Sequence, residues 1–386
     1  MKLQKLPLVV KVLIAIVLGV VLGRFVPAWS VRAFNTFTAL FDQLLKFFIP
    51  LIIVGLVTPA IADVGHGAKR MLLITVGLAY LFTVCSGLFA YLFSVNLFPH
   101  MLDTSSLAKL EAAGREFKPF FVIGIPPFMD VMTSLVLSFV LGLGIAFSDS
   151  PALFKGFKEF KDIIVLSIEK VIIPLLPFYI FGLFMDMTAA GKVGPVLESF
   201  LMVVLVIFVM TLVLLVLQYC VAALVTRRNP FKLLAAMLPA YFTALGTSSS
   251  AATIPVTLKS AIKNGVSEDV AGFAVPLCAT IHLSGSTLKI TSCAIALMLM
   301  LGMPFDFPLI LGFVLMLGVT MVAAPGVPGG AIMAALGVLG SILGFDATQQ
   351  ALMITLYIAM DSFGTACNVT GDGAIALIVD KIARKN

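Results

Sequence analysis

Residues 361–372 read DSFGTACNVTGD, and they decide how the rest of the chain is understood. They lie within an otherwise apolar segment, residues 352–379, that is long enough to cross a bilayer. Two carboxylates, an amide and several hydroxyls stand where hydrocarbon is expected. Ionisable groups at that depth are costly, so they mark a site by default. Gly371 and Gly373 are expected to loosen the helix. Freed backbone of that kind is tolerated in a membrane only where it faces protein or a water-filled cavity.

The composition fits that setting. The chain has 386 residues, 61% hydrophobic and 11% charged, with a mean hydropathy of +1.14, so it must cross the bilayer many times. The net charge of +6 resides mostly in short loops, where basic residues set orientation; no nucleic-acid binding is implied. Five cysteines (Cys85, Cys220, Cys278, Cys293, Cys367) lack paired spacing and read as small buried hydrophobes. The N-terminal apolar stretch is of span length without a convincing cleavage site, so it reads as the first span and not as a leader.

Apolar segments predict spans at 6–26, 34–62, 70–98, 119–148, 160–190 and 196–226. Lys2, Lys5 and Lys11, then Lys69 and Arg70, Lys155, Lys158 and Lys161, and Arg227, Arg228 and Lys232 make every second connection basic. Both termini are therefore expected in the cytoplasm. Residues 102–118 form the longest connection and fall outside. Asp130, Asp186, Glu169 and Lys170 are expected to form interfacial or interhelical pairs.

Beyond Lys232 the pattern changes. Residues 233–262 hold two arms, each too short to span, around TSSSAATIP (247–255), with basic residues at both ends. Residues 267–302 can cross but are interrupted by ATIHLSGSTLK. Residues 306–343 again hold two arms, around APGVPGG (324–330), flanked by Asp306 and Asp346. The last span carries the opening stretch. The order hairpin, broken span, hairpin, broken span, with hairpins entering from opposite faces, is an inverted repeat. Such interruptions in matching positions point to a secondary transporter's binding site at the membrane midplane. Half-helix N-termini suit a substrate carboxylate, and unwound carbonyls suit a dehydrated cation. The expected fold is an all-α polytopic membrane protein with eight transmembrane spans and two re-entrant helical hairpins.

SSSAATIPVT, GVPGG and NVTGD resemble the glutamate transporter family, the dicarboxylate/amino acid:cation symporters, and the resemblance follows the segment order through nearly the whole chain. It implies a homotrimer and an elevator mechanism. Residues 1–69 and 99–194 would form the scaffold. Residues 70–98 and 195–386 would form the transport domain, with hairpins at 228–264 and 306–343, the second being the extracellular gate. It further implies that Asp361 binds a substrate ammonium, that Asn368 binds its α-carboxylate, and that Ser248, Ser249 and Ser250 supply the rest of that clamp. Gly364 and Thr365 would line the pocket, and Val327 and Gly329 the gate tip. Asp372 and the Asn368 carbonyl would hold one Na+. Thr280 with carbonyls near Val322 and Ala324 would hold a second, and Tyr80 and Thr83 a third, beside His282. The implied setting is a bacterial cell membrane, with lipid and a small-molecule substrate as partners.

Two departures refine this expectation. Acidic-substrate members carry an arginine where this chain has Gly364, and the alternative arginine positions are Ser248 and Ser362. With no cation left there, an acidic side chain would be buried unpaired. A small neutral amino acid is therefore the expected substrate, and sodium- or proton-coupled transport of a dicarboxylate or acidic amino acid is the alternative. The family's Asn-Met-Asp-Gly motif is here His282-Leu283-Ser284-Gly285, so the deepest Na+ loses its carboxylate. Lys289 follows Ser284 by five residues, about 7.5 Å along a helix. His282, Ser284 and Lys289 become coupling candidates, with H+ or a tethered ammonium in place of one Na+. His282 also reads as a neutral packing residue, and Lys289 as a snorkelling side chain or a partner of Asp372. An intramembrane hydrolase pairing a hairpin serine with Lys289 and a passive channel are the rivals from other classes; neither explains two matched hairpins.

Overall fold

The computed structural model describes residues 6–66, 70–102, 117–148 and 150–383. Lys2, Lys5, Lys69, Arg384, Lys385 and most of the 102–118 connection lie outside them. The described residues are helical, without strands: α1 (Leu8–Leu22), α2 (Ala28–His66), α3 (Arg70–Met101), α4 (Val131–Ser148), α5 (Pro151–Ser167), α6 (Ile173–Ala189) and α7 (Val193–Thr226) come first. Then follow α8 (Pro230–Ala236), α9 (Leu238–Thr247), α10 (Ser250–Lys263), α11 (Glu268–Ile281), α12 (Ser284–Leu301), α13 (Phe307–Ala323), α14 (Gly330–Leu343), α15 (Ala347–Ala359) and α16 (Asp361–Ala383).

Among the described residues six helices are long and apolar enough to cross a membrane, with α5 and α6 joined as one and α11 and α12 as another; α15 and α16, bent by 64° at their junction, make a seventh if taken together. The α1 helix has only 15 residues, about 22 Å of rise, so the expected span 6–26 is shorter than a hydrocarbon core. Gly23 ends it, and a Cβ at Gly19 would stand 2.7 Å from the Phe181 carbonyl, which fixes α1 against α6.

Two boundaries differ for identifiable reasons. Residues 119–130 are apolar but not helical, because Pro119, Gly124, Pro126 and Pro127 deny the segment a continuous hydrogen-bond ladder. The chain there borrows donors and acceptors from α2: Asn35 Nδ2 donates to the Phe117 carbonyl at 2.7 Å, Arg32 Nε to that of Lys118 at 3.0 Å, and the Phe120 N–H donates to Thr36 Oγ1 at 2.9 Å. Lys155, Lys158 and Lys161 are not a loop but lie on α5, which Pro151 starts at its first turn. Its partly buried Phe154, Phe157 and Phe160 repeat at helical spacing while Lys155 and Lys158 stay exposed, and this is amphipathicity that charge counting alone conceals. A π-helical turn, Ile168–Ile172, with exposed Glu169 and Lys170, joins it to α6. Asp130 bonds the N–H and hydroxyl of Thr133 at the start of α4, which holds its carboxyl below the usual range. Asp186 accepts from Asn35 Nδ2 at 2.7 Å, an interhelical pair as expected. Cys85 is exposed, contrary to expectation, while Cys278, Cys293 and Cys367 are buried.

In the C-terminal part, α9 packs on α10 through the tip Ser248–Ser249, and α13 on α14 through the tip 324–329. Each pair is followed by a broken segment, α11/α12 and α15/α16. Ser249 caps α10 by accepting from the Ala252 N–H at 3.3 Å, and Asp306 caps α13 by accepting from the Leu309 N–H at 2.9 Å. Asp346 and Gln349 close a capping box on α15. Asp306 and Asp346 are thus helix starts, a role their mere position as flanking charges did not reveal. The α16 helix packs against α7, α9, α10, α11 and α12, so the opening stretch lies at the centre of this half of the molecule.

Candidate functional site

The last segment breaks at Met360, immediately before Asp361, and not at its glycines: α16 runs unbroken through Gly371 and Gly373. Those glycines serve close approach. A Cβ on Gly371 would stand 2.6 Å from His282 Cε1 and 2.7 Å from Gln218 Oε1, and one on Gly373 would stand 2.6 Å from Met237 Cε and 2.8 Å from the Tyr219 hydroxyl. Gly371→Ala is therefore expected to destabilise the protein by about 1–3 kcal/mol through overpacking, read as a lower melting temperature in detergent.

Breaking at Met360 and at His282–Leu283 sets two helix starts side by side. The first peptide groups of α12 are capped from α16: Asn368 Oδ1 accepts from the N–H of Gly285 at 2.8 Å and of Ser286 at 3.3 Å, while its Nδ2 donates to Ser286 Oγ at 3.1 Å. Asp361 is buried, and its Oδ2 accepts from the Gly329 N–H at 2.9 Å, so the tip of the second hairpin rests on this carboxylate. The two tips also touch, Ser249 Oγ donating to the Gly326 carbonyl at 3.2 Å. Ser248, in the left-handed region at φ 49°, bonds Ser362 through the two hydroxyls at 2.7 Å.

A cavity of about 20 Å³ lies between these parts, bordered by Ser248, Ser250, Val327, Asp361, Thr365 and Asn368 among others. That is room for one water, so the site is closed. Tyr357, Ser286 and Leu283 also line it and were missed from sequence. Tyr357 precedes Asp361 by one helical turn, which is the only signal that could have found it. A larger cleft of about 240 Å³ lies between α2, α6 and α15, but its acids already have partners: Asp42 accepts from the Tyr179 hydroxyl at 2.6 Å and Asp186 from Asn35. Converging helix ends and a buried carboxylate place the candidate site at the smaller cavity.

Lys289 corrects one expectation. Its ammonium stands 2.3 Å from where a Gly364 Cβ would be, so a cation does remain at that position, delivered from α12. It faces Asp361 Oδ1 at 3.7 Å, donates to the Met360 carbonyl at 3.2 Å and sits 3.8 Å from the centroid of the Tyr357 ring. It pairs with neither Asp372 nor a hairpin serine in any described contact. Being fully buried, it does not snorkel.

Asp372 is instead held by His282, Nδ1 to Oδ1 at 2.8 Å, both fully buried. Asp372 Oδ2, Gln218 Oε1 and His282 Nε2 have no hydrogen-bond partner among the described residues. Gln218, also missed, donates through Nε2 to Ser284 Oγ at 3.0 Å. The two orphaned oxygens are of the donor type that suits a hard cation, while the imidazole beside them is not. Farther in, Ser86 Oγ bridges the carbonyls of Thr83 and Ser284 at 2.7 and 2.8 Å, and Thr83 bonds its own helix. Tyr80 is not gathered with them: its hydroxyl donates to the Leu315 carbonyl of α13 at 3.2 Å. Thr280 bonds the Leu277 carbonyl at 2.7 Å. The second tip, which begins at Ala324 shortly after Val322, lies over that end of α11, since a Cβ on Gly326 would be 4.0 Å from the Ala279 carbonyl.

A family model described as the sodium:dicarboxylate symporter family matches residues 8–382. The chain belongs to that family. It is also 28% identical over 340 residues, 86% of this chain and 94% of the relative, to a protein named serine/threonine transporter SstT from Streptococcus suis (strain 05ZYH33). Membership supports symport as the activity, in an integral membrane protein with a small-molecule substrate. Sodium coupling is the family's general property.

Proposed function

We propose that this symporter takes up a small neutral amino acid with cations, chiefly Na+, by elevator-type alternating access. Residues 70–98 and 195–386 move as the transport domain within a homotrimer in a bacterial cell membrane, and both termini are cytoplasmic. The second hairpin is the gate. Asp361 receives the substrate ammonium; Asn368 and the Ser248–Ser250 tip receive its carboxylate, with Gly364, Thr365, Val327 and Gly329 shaping the pocket. Asp372 with the Asn368 carbonyl, Thr280 with Val322 and Ala324, and Thr83 are the candidate cation ligands, Tyr80 being turned to the Leu315 carbonyl. His282 and Ser284 mark where one Na+ gives way to H+ or is absent.

One observation carries the choice of a neutral side chain. The Lys289 ammonium is held by Asp361, the Met360 carbonyl and the Tyr357 ring and is not among the residues lining the cavity, so a substrate side-chain carboxylate would meet no cation there. That the relative is named for serine and threonine makes these the first substrates to test. The same lysine, standing at the family's arginine position, favours the second reading, an acidic substrate, should Lys289 turn from Asp361 toward the pocket.

A thermal-shift screen decides between them, because a ligand stabilises only the state it binds. L-serine, L-threonine and L-alanine are expected to raise the melting temperature in sodium, and L-aspartate and succinate to leave it unchanged. The reverse pattern would sink the neutral reading. Counterflow of labelled substrate in liposomes separates a carrier from a channel.

A further inference from the structure

The site is closed and its cavity small, yet both oxygens of the buried Asp361 carboxylate are answered from within the protein. The Gly329 N–H of the gate tip meets Oδ2 at 2.9 Å, and the Lys289 ammonium faces Oδ1 at 3.7 Å. A carboxylate sealed from water without a cation is strongly disfavoured, so an empty site of this kind closes only if something supplies the charge. In the loaded site the substrate's ammonium would supply it.

We propose that Lys289 is a tethered stand-in for the substrate ammonium: it neutralises Asp361 when the pocket is empty, so that the gate closes and the unloaded carrier returns. The inference rests on reading Asp361 as the ammonium ligand. The geometry suits a competitor that must let go. At 3.7 Å the ion pair is looser than a direct charge-assisted hydrogen bond, and the Met360 carbonyl and Tyr357 ring hold the ammonium when substrate takes the carboxylate. Gly364 is what admits the lysine head, since any Cβ would stand 2.2 Å from its Cε and 2.3 Å from its Nζ. The absence of a side chain at 364 thus makes room for an internal cation.

The test uses the full chain in liposomes with labelled L-serine or L-alanine, comparing wild type, Lys289→Met and Gly364→Ala. Lys289→Met removes the charge; Gly364→Ala keeps it but pushes the flexible end of Lys289 off its seat. For each, net uptake into amino-acid-free liposomes, exchange against internal amino acid, and affinity by thermal-shift titration are measured. The ratio of net uptake to exchange is expected to fall about tenfold or more in both variants, and Lys289→Met is expected to bind substrate equally or more tightly because a competitor is gone. A merely structural lysine would instead lower uptake, exchange and affinity together; that result, or an unchanged ratio, overturns the proposal. Should Lys289→Met fail to fold, Gly364→Ala decides alone. Wild type that neither binds nor exchanges either amino acid would overturn the functional reading and this inference with it, whereas normal wild-type exchange with an unchanged ratio in the variants overturns this inference only.

Discussion

Asp361→Asn is expected to abolish amino-acid-induced stabilisation and transport, and to destabilise the protein as well. The neutral amide loses a charge-assisted contact to the substrate ammonium, worth about 1.5–3 kcal/mol, or roughly ten- to a hundredfold in affinity. It also leaves the fully buried Lys289 without its anion, and breaking one half of a buried pair costs about 3–5 kcal/mol. The two effects separate in the double variant Asp361→Asn/Lys289→Met, where the melting temperature should recover most of its loss while binding and uptake stay absent. Melting curves with and without L-serine, and uptake in liposomes, check both. If the single variant still bound serine at wild-type strength, Asp361 would not be the ammonium ligand.

The second large effect concerns residue 364. Gly364→Arg alone should scarcely fold, because its Cβ already collides with the Lys289 head and its guanidinium would add a second buried cation. Combined with Lys289→Met the arginine gains the space that the lysine head vacates, at the position where acidic-substrate members carry theirs. The double variant should then be stabilised by L-aspartate and no longer by L-serine. The preference should shift by about a hundredfold or more, the scale set by pairing versus stranding a buried charge. A double variant that folds and still selects serine would show that the charge at 364 does not read the side chain.

How far the sequence could be read depends on what kind of signal each residue carries. The interrupted segments were plain, since polar residues within apolar runs are costly enough to be informative singly. Their breakpoints were not. Gly371 and Gly373 have two physical uses, backbone freedom and close approach, and a sequence does not say which; the structure gives them the second, and puts the break at Met360, where no residue announces it. Residues 119–130 resemble part of a span by their apolarity, which hides the effect of four prolines and glycines on the backbone, and α5 resembles a loop by its lysines until their helical spacing is considered. At the site, Asp361 and Asn368 were legible as polar groups in a span. The pairing of Lys289 with Asp361 was not, because the two are 72 positions apart and their meeting depends on how α12 crosses α16. His282 with Asp372 is hidden in the same way.

The two broken segments bear on how such a protein comes to exist in a bilayer at all. Val196–Thr226 reaches a hydropathy of 3.4, enough to partition by itself, whereas Glu268–Leu301 reaches only 1.4 and is 94% enclosed by other helices. Each half-helix also ends with unpaired peptide groups that lipid cannot satisfy. Asn368 answers those at the start of α12, and it lies some eighty residues further along the chain. The weakest segment is therefore sheltered both by α3, made long before it, and by α16, made after it. Each broken segment thus suits the bilayer best with its partner helices packed around it.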